Sequence, residues 1–345
     1  MDTKIIKISS PADYPLLDEA ADCLRNGGLA AIPTETVYGL AGNALDAGAS
    51  RKIYAAKGRP QDNPLIVHIS ELSQWAPLVA EIPESALRLA EAYWPGPMTI
   101  ILKKSALIPD ETSGGLDTVA VRMPSNPIAR EIIDRAGVPL AAPSANTSGR
   151  PSPTCAEHVY EDLNGKIDYI IDGGECTVGV ESTVLTLVDG VPRVLRPGGI
   201  TPEMIREVLG TCEVDPAVYE KLQEGVKAAS PGMKYRHYAP RARVSVLSGS
   251  LAAYTQYVNS HAQGDHVYAL CFDGEGAALS VPFIEYGAQA DSAAQAHKLF
   301  DALRQLDERG AERVYARMPA EEGVGLAVYN RLMRAAAFEV IELEE

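Results

Sequence analysis

The sequence PTETVYGLAGNALDAGASRKIYAAKGRPQDNPLIVHI, residues 33–69, decides how the rest of the chain is organised. An apolar run at residues 29–32 opens into its hydroxyl-rich loop, and a helix is predicted to begin after Asp46, a good N-terminal cap. That helix leads to Lys57 and Arg59 in a second loop, and a second apolar run follows. This order of elements is typical of an anion site in an α/β protein: a strand, a polar loop, a helix, a cationic loop and a second strand. The strands and the helix are fixed, so they hold hydrogen-bond donors in place at their ends.

The composition is that of an ordinary globular chain. Its 345 residues predict one large or two ordinary domains, and 46% hydrophobic residues suffice for a full core. The formal charge of −15 argues against a general binder of nucleic acids or anionic membranes, although it allows a local basic pocket.

Cysteine usage and apolar runs indicate the compartment. The five cysteines are scattered without a CxxC pair, so we expect reduced thiols rather than a disulfide frame or a zinc site. The N-terminus lacks the apolar core of a signal peptide, and no apolar run approaches the roughly 20 residues of a membrane span. We therefore expect a cytoplasmic protein.

The pattern of strands and helices along the sequence predicts that the chain has two α/β domains and a segment between them. Residues 1–210 are predicted to form an α/β domain with some antiparallel strands, in which residues 72–79 form a helix. Residues 211–243 are charged and irregular, and they close with the aromatic and basic segment SPGMKYRHYAP, which is expected to act as a linker and lid. Residues 244–345 alternate afresh and predict a smaller Rossmann-like α/β domain.

Polar residues recur where the predicted strands end. The GxxxxGK[ST] phosphate loop is absent, and Gly323-Val324-Gly325 fits a helix-start turn better than a dinucleotide site. The recurring residues are Lys57, Arg59, Asn63, Thr118, Arg122, Ser144, Asn146, Ser182 and Arg196. Any one of them is also compatible with a surface loop or a helix cap. Together, in a chain this acidic, they favour a site that neutralises a triphosphate and a carboxylate.

His68 stands inside an apolar run, where a histidine is either a satisfied core residue or a ligand. Its position after the Lys57–Arg59 loop favours the ligand interpretation. No catalytic triad or glycosidase-like carboxylate pair accompanies it, and the spacing of a metal site is absent. If a cation takes part, we expect Mg²⁺ carried mainly by phosphates, and the metal ligands in the protein stay unknown.

Ordered motifs place the chain close to a known family. They are PTETVYGL, KGRPQDNPLIVHI, WPGP, GLDTVAVRMP, APSANTSGRPSPT, VESTVL and VLRPGG, followed by SPGMKYRHYAP. This series resembles the YrdC-like family in its longer, two-domain form, the L-threonylcarbamoyladenylate synthases. The resemblance runs motif by motif from about residue 20 to residue 240. It implies an open twisted mixed sheet with a concave, positively charged face.

The resemblance also implies an activity. A nucleotidyltransferase of this family combines L-threonine, bicarbonate or CO₂, and ATP into threonylcarbamoyl-AMP and releases pyrophosphate. This reaction is the first step of N6-threonylcarbamoyladenosine formation in tRNA. A separate threonylcarbamoyl transferase complex is the implied downstream partner, while direct binding of tRNA stays open.

The signature and ligand contacts of the family carry over to positions of this sequence. The catalytic Lys-x-Arg…Ser-x-Asn signature falls on Lys57, Arg59, Ser144 and Asn146. The implied threonine contacts are Thr36, His68, Arg122, the backbone of Ala142, and Ser182, with Ser182 or Thr36 expected to read the threonine hydroxyl. The implied ATP contacts are Arg59, Asn63, Thr118, Ser144, Ser152, Arg196 and, in the linker, His237.

The implied chemistry agrees with these residue types. The N-carboxy group of threonine must attack the α-phosphorus of ATP, and both reactants are anionic. Lys57, Arg59 and Arg196 are therefore predicted to offset their repulsion. Arg122 suits a bidentate grip on the threonine carboxylate. Because the carbamate is unstable in water, the linker is predicted to cover the site.

Two other interpretations stay open. A concave basic face could bind structured RNA without chemistry, which would make the chain an RNA-binding module. The charge of −15 and the intact set of ligand residues count against that interpretation. A carbamoyl-adenylate former of the hydrogenase-maturation type would need acylphosphatase and zinc-finger segments, which the sequence lacks.

Overall fold

The computed structural model describes residues 2–220, 238–264 and 266–344. His237 and most of the SPGMKYRHYAP segment lie outside these described residues. The chain divides into two compact units, whose described parts are residues 2–148 with 152–218, and residues 149–151, 219–220 and 238–344. No helix in the described ranges is long and apolar enough to cross a membrane.

The first unit is built on an eleven-stranded sheet. Its strands are β1 (Lys4–Lys7), β2 (Ala30–Ile32), β3 (Gly39–Asn43), β4 (Ile66–His68), β5 (Met98–Lys103), β6 (Thr118–Arg122), β7 (Leu140–Ala141), β8 (Tyr169–Asp172), β9 (Thr183–Thr186), β10 (Arg193–Arg196) and β11 (Glu213–Val214). They lie side by side in the order β1-β8-β2-β3-β7-β4-β6-β5-β9-β10-β11. β4 runs parallel to β6, whereas β5 is antiparallel to β6. The predicted mixed sheet is thus confirmed.

Helices cover both faces of this sheet. They are α1 (Asp18–Arg25), α2 (Ala47–Lys57), α3 (Glu84–Tyr93), α4 (Asp110–Ser113), α5 (Pro127–Ala136), α6 (Ala156–Leu163) and α7 (Pro202–Leu209). α1 and α5 share a core with Ala30 and Ile32 of β2, while α2, α3 and α6 share one with Leu29 and Ala31. Successive strand side chains point to opposite faces, so the central strands are buried on both sides.

Helix α2 begins and ends where its sequence predicts. The Oδ1 atom of Asp46 accepts a hydrogen bond from the Gly48 N–H at 2.7 Å, and Gly58 follows the last turn with φ 63°. A positive φ strains residues that carry a Cβ, so glycine suits this position. The helix delivers its last residue, Lys57, to the interior, where the side chain is buried.

Two local predictions are wrong. Residues 72–79 form two short 3-10 helices, Leu72–Gln74 and Ala76–Leu78, rather than one α-helix. Pro77 lacks the N–H that an α-helical hydrogen bond requires. β3 lies within the segment predicted as a polar loop, where it pairs with β2 and β7. The strand was not predicted because Gly39 and Gly42 weaken the strand pattern of this segment.

The second unit contains a five-stranded parallel sheet. Its strands are β12 (Arg243–Ser248), β13 (Val267–Cys271), β14 (Phe283–Glu285), β15 (Arg313–Arg317) and β16 (Val340–Glu342), in the order β14-β13-β15-β12-β16. Its helices are α8 (Leu251–Ser260), α9 (Ser292–Glu308) and α10 (Gly325–Ala335), the last of which begins at the Gly323-Val324-Gly325 turn. Its pairings are parallel throughout the described residues, as strand–helix alternation predicts. The predicted second α/β fold is confirmed.

Candidate active site

Strand register brings three of the predicted threonine contacts, His68, Arg122 and Ser182, to one end of β4. In the parallel pairing of β4 with β6, His68 lies opposite Arg122, and both are the last residues of their strands. On the other side of β6, Thr99 of β5 pairs with Arg122. β9 runs parallel to β5 from Thr183, so Ser182 arrives at the same end, where its Oγ lies 2.8 Å from Thr99 Oγ1.

The buried Arg122 guanidinium is held by three groups. Its Nη1 donates to Thr36 Oγ1 at 2.9 Å, its Nε donates to the Gly96 carbonyl at 3.3 Å, and its Nη2 lies 2.7 Å from Glu35 Oε1. The contact with Glu35 is an ion pair without hydrogen-bond alignment. The sequence prediction missed Glu35, although this residue stands inside the PTET motif next to Thr36.

The Glu35 side chain is a carboxylate. Burial alone would raise its pKa, but the Arg122 guanidinium and nearby backbone N–H groups hold the pKa of this carboxyl below its ordinary value. The two side chains therefore form a buried pair of opposite charges at the end of the sheet.

Hydrogen-bond geometry limits what the Thr36 hydroxyl offers a ligand. Thr34 Oγ1 lies 2.6 Å from the Val37 carbonyl, so the single Thr34 hydroxyl proton is donated there. The 2.8 Å contact between the two threonine oxygens then uses the Thr36 proton. Because Thr36 Oγ1 also accepts from Arg122, one lone pair remains, and Thr36 presents an acceptor.

His68 is a neutral imidazole. Its Nδ1 lies 3.1 Å from the Ile66 carbonyl, and the residue is 3% exposed. Burial, with the positive charge of Arg122, lowers its pKa to about 3. At neutral pH this ring therefore adds no charge beside the Arg122–Glu35 pair.

A second group of predicted residues lies at the other end of β4. Thr118 is the first residue of β6, and the register with β4 places it beside Pro64. Arg59 donates from Nε to the Asn63 carbonyl at 3.2 Å and from Nη2 to the Pro64 carbonyl at 3.0 Å. β7 is antiparallel to β4, so the chain leaves β7 toward this end and carries Ser144 there.

Lys57 is bonded to the loop of Ser144 and Asn146. Its Nζ donates to the Ser144 carbonyl and to the Asn146 carbonyl at 2.6 Å, and it lies 3.4 Å from Asn146 Oδ1. Burial, then the charge of Arg59, lowers the pKa of Lys57, yet three oxygen acceptors are the contacts that a protonated ammonium group needs. The Lys57 ammonium group thus contacts three oxygens of this loop.

Three further predicted residues lie beside these groups. Arg196 donates from Nε to the Ser182 carbonyl at 3.1 Å and from Nη2 to Ser182 Oγ at 3.2 Å, so it belongs to the Arg122 end of the site. Ser152 donates to the Glu181 carboxylate, next to Ser182 in the chain. The Ala142 N–H donates to a β4 carbonyl at 2.9 Å, which fixes its backbone along the strand.

The two groups are separated by one short strand. β4 has 3 residues, so its ends are on the order of 7–10 Å apart. That distance suits two ligands whose reacting atoms meet above the strand. Within the described ranges, no group of three or more His, Cys, Asp or Glu side chains is arranged to hold a metal ion.

Comparisons with known proteins agree with this geometry. The family described as Telomere recombination matches residues 22–198, and the family described as Threonylcarbamoyl-AMP synthase, C-terminal domain, matches residues 200–337. The threonylcarbamoyl-AMP synthase of Pyrococcus abyssi is 47% identical, over 99% of this chain and 100% of the relative. The chain belongs to the threonylcarbamoyl-AMP synthase family. The Bacillus subtilis threonylcarbamoyl-AMP synthase is 46% identical, over 95% of this chain and 94% of the relative.

A solved structure extends this family assignment to the fold. P. abyssi Sua5 complexed with L-threonine matches with a TM-score of 0.92 and 44% identity, covering 99% of this chain and 100% of that chain. The predicted threonylcarbamoyl-AMP synthase family, its two-domain form and its enzymatic function are confirmed, and the RNA-binding alternative is not favoured. The roles of single site residues stay predictions.

Proposed function

We propose that this chain forms threonylcarbamoyl-AMP in the cytoplasm from L-threonine, bicarbonate or CO₂, and ATP, with release of pyrophosphate. The observation that carries the proposal is the pair of residue groups at the two ends of β4, one around Arg122 and one around Arg59. The L-threonine complex of the P. abyssi relative supports a threonine site on this fold. The product serves tRNA modification, and a threonylcarbamoyl transferase complex consumes it.

The Arg122 end of β4 is assigned to threonine. The guanidinium takes the carboxylate, and the neutral His68 ring brings no competing charge. The remaining lone pair of Thr36 Oγ1 is available to accept a hydrogen bond from the threonine hydroxyl. Ser182, whose hydroxyl is already oriented by Thr99 and an arginine, is placed to read the threonine hydroxyl. The backbone of Ala142, which bonds to the Ile66 carbonyl, is assigned to threonine from the sequence.

The Arg59 end is assigned to ATP, with Thr118 and Ser144 as further contacts, and Ser152 is assigned to ATP from the sequence. Arg59 is half-buried and suits the phosphates. Asn63 Oδ1 is buried without a hydrogen-bond partner, which is the state of an acceptor that awaits a ligand donor such as the adenine amino group. Mg²⁺ is expected to reach the site on the phosphates and to neutralise part of their charge. His237 is assigned to ATP from the sequence alone.

The reaction requires cations around two anions that must meet. An oxygen of N-carboxythreonine attacks the α-phosphorus, and pyrophosphate leaves on the opposite side. Arg59 stands at the ATP end and Arg196 at the threonine end, so their charges flank the path and stabilise the developing charge. Lys57 contributes by fixing the loop that carries Ser144 and Asn146.

Pyrophosphate release with single amino acids tests this function. With ATP and bicarbonate, we expect L-threonine to drive release, L-serine to do so poorly and L-valine hardly at all. A methyl group is worth about 1–3 kcal/mol in a fitted pocket, while a site built to bond a hydroxyl rejects its absence more strongly. Reactions without bicarbonate serve as the control. Equal release with L-threonine and L-valine would remove Ser182 and Thr36 from the reading of the hydroxyl.

A further inference from the structure

Glu35 carries a buried carboxylate that is paired with Arg122. The residue is 7% exposed, and its Oε1 lies 2.7 Å from Arg122 Nη2, while nearby backbone N–H groups also stabilise its charge. A buried ion pair is weak evidence for stability, so its position at the end of the sheet points to a role with a ligand. We propose that Glu35 receives the α-ammonium group of threonine, a contact that rests on the proposed function and adds an anionic partner to Arg122.

The backbone around Glu35 fixes the direction of this carboxylate. Thr34 Oγ1 accepts hydrogen bonds from the Thr36 N–H at 3.2 Å and from the Val37 N–H at 3.3 Å, which closes a tight turn after β2. The Glu35 carbonyl accepts a hydrogen bond from the Val178 N–H at 2.7 Å. The side chain leaves this fixed turn and meets the Arg122 guanidinium.

The charges of the Arg122–Glu35 pair are complementary to those of an α-amino acid. The carboxylate and the ammonium group of threonine stand on one carbon, so a cation and an anion in contact match them together. An ammonium group has three donors, and the Glu35 carboxylate presents acceptor oxygens beside Arg122. A zwitterion that inserts here replaces one poorly aligned ion pair with two charge-assisted contacts.

The partly lowered proton affinity of Glu35 agrees with this assignment. Its pKa is held below the ordinary value, so at neutral pH the side chain is a carboxylate while the threonine amine is protonated. Two other roles are compatible with the same position. In the first, Glu35 only orients Arg122. In the second, Glu35 occupies the place of the substrate carboxylate on Arg122 until threonine binds. The three roles predict different effects of a Glu35 substitution on the dissociation constants of ligands that carry only the ammonium group or only the carboxylate.

Two half-ligands separate these roles. L-threoninol keeps the ammonium group and lacks the carboxylate, whereas (R)-3-hydroxybutyrate keeps the carboxylate and lacks the ammonium group. Dissociation constants are measured for both, for L-threonine and for ATP, by calorimetry or ligand-observed NMR with the full chain. Glu35→Gln removes the charge and keeps the shape. The control is Glu131→Gln, since Glu131 forms a partly exposed ion pair with Arg135 at 2.7 Å.

We expect Glu35→Gln to weaken the binding of L-threonine and L-threoninol by about 10- to 100-fold. Binding of (R)-3-hydroxybutyrate and ATP is expected to stay within about twofold, and Glu131→Gln is expected to change none of the constants. If circular dichroism shows that Glu35→Gln is unfolded, Glu35→Asp replaces it, and the same selective loss is expected because the carboxylate is withdrawn by one methylene.

Three results would overturn the assignment. Weaker (R)-3-hydroxybutyrate with unchanged L-threoninol would mean that Glu35 only orients Arg122. Tighter L-threonine in Glu35→Gln would mean that Glu35 occupies the place of the substrate carboxylate. Unchanged constants for every ligand would leave Glu35 outside the site. Failure of the proposed function is distinct, because the unaltered protein itself would then bind neither L-threonine nor ATP.

Discussion

Lys57 and Arg59 stand two positions apart in the sequence and make different contacts. The Lys57 ammonium group is enclosed by oxygens of Ser144 and Asn146, whereas Arg59 is half-buried and bonded to carbonyls of its own loop. Spacing alone could not separate them, because both are cations in one loop. We infer that Lys57 holds the neighbouring loop in place and that Arg59 faces the phosphates.

Replacing each cation in turn tests this division. Lys57→Met leaves buried carbonyls without donors, so the free energy of unfolding is expected to fall by about 3 kcal/mol. Arg59→Ala is expected to change it by about 1 kcal/mol or less, and to slow pyrophosphate release by about 10²–10³. Urea unfolding and pyrophosphate release measure the two effects, with the exposed Lys103→Met as control. A fully stable but inactive Lys57→Met would place Lys57 on the phosphates.

His68 gives the fold a calculable pH dependence. Its pKa is lowered to about 3 in the folded protein by burial and by Arg122, whereas the unfolded chain takes up the proton below about pH 6.5. Acid therefore favours the unfolded state, and this residue removes up to about 1.4 kcal/mol of stability per pH unit as the pH falls below 6.5.

Urea unfolding at pH 7, 6 and 5 measures that slope. The His68→Asn variant is expected to lose less stability than the parent over this range, by about the contribution of one buried histidine. His266→Asn, at an exposed position, is the matched control and is expected to keep the parent slope. Identical slopes for the parent and His68→Asn would contradict the account, because they would show that the pKa of His68 does not change on folding.

Helix α2 illustrates which elements a sequence predicts well. Its start at Asp46 and its end at Gly58 are local signals, and the structure follows both. β3 and the 3-10 turns at residues 72–78 were not predicted, because glycines and a proline obscure periodicity there and tertiary pairing decides the outcome. Elements with local caps are predictable, while those specified by their neighbours are not.

The cap of α2 makes a prediction at this scale. The Asp46 carboxylate satisfies a backbone donor of the first turn at 2.7 Å, so Asp46→Ala is expected to lower the free energy of unfolding by about 1 kcal/mol. Because α2 delivers Lys57 and Arg59, a modest loss of turnover is expected as well. Thermal and urea unfolding are the measurements, with the exposed Asp189→Ala as control. A stability equal to that of the parent would show that the cap contributes nothing.

The same reasoning explains what could be predicted of the site. Residues at or just after strand ends, such as Ser144 after β7 and Arg196 at the end of β10, were predictable because strand ends meet at the edges of a sheet. Glu35 was missed, since a carboxylate is not expected beside two anionic substrates. Only the 2.7 Å approach of Glu35 to Arg122 reveals that this residue belongs to the site.

At the scale of the whole molecule, the two folds were predictable from the alternation of strands and helices. The predicted divisions at residues 1–210, 211–243 and 244–345 stay predictions. Residues 149–151 group with the second compact unit, and a local sequence pattern does not predict such a grouping.

The segment that connects the two units carries the remaining predicted contact. His237→Ala is expected to weaken ATP binding by about tenfold and to leave L-threonine binding unchanged, because the loss of one charged or hydrogen-bonding contact to phosphate is worth about 1.5 kcal/mol. Calorimetric titration with each ligand measures both constants. His261→Ala, in the second unit, is the control. Unchanged ATP affinity in His237→Ala would remove this residue from the nucleotide site.

Incubation with ATP, L-threonine and isotopically labelled bicarbonate tests the central claim most directly. If the two ends of β4 hold threonine and ATP, labelled carbon enters an AMP adduct as pyrophosphate is released, and both fail when any one substrate is omitted. Mass spectrometry of the adduct identifies it as threonylcarbamoyl-AMP. Pyrophosphate release with an unlabelled adduct, such as threonyl-AMP, would contradict the account, because the carboxylate of threonine and not an N-carboxy group would then have attacked the phosphate.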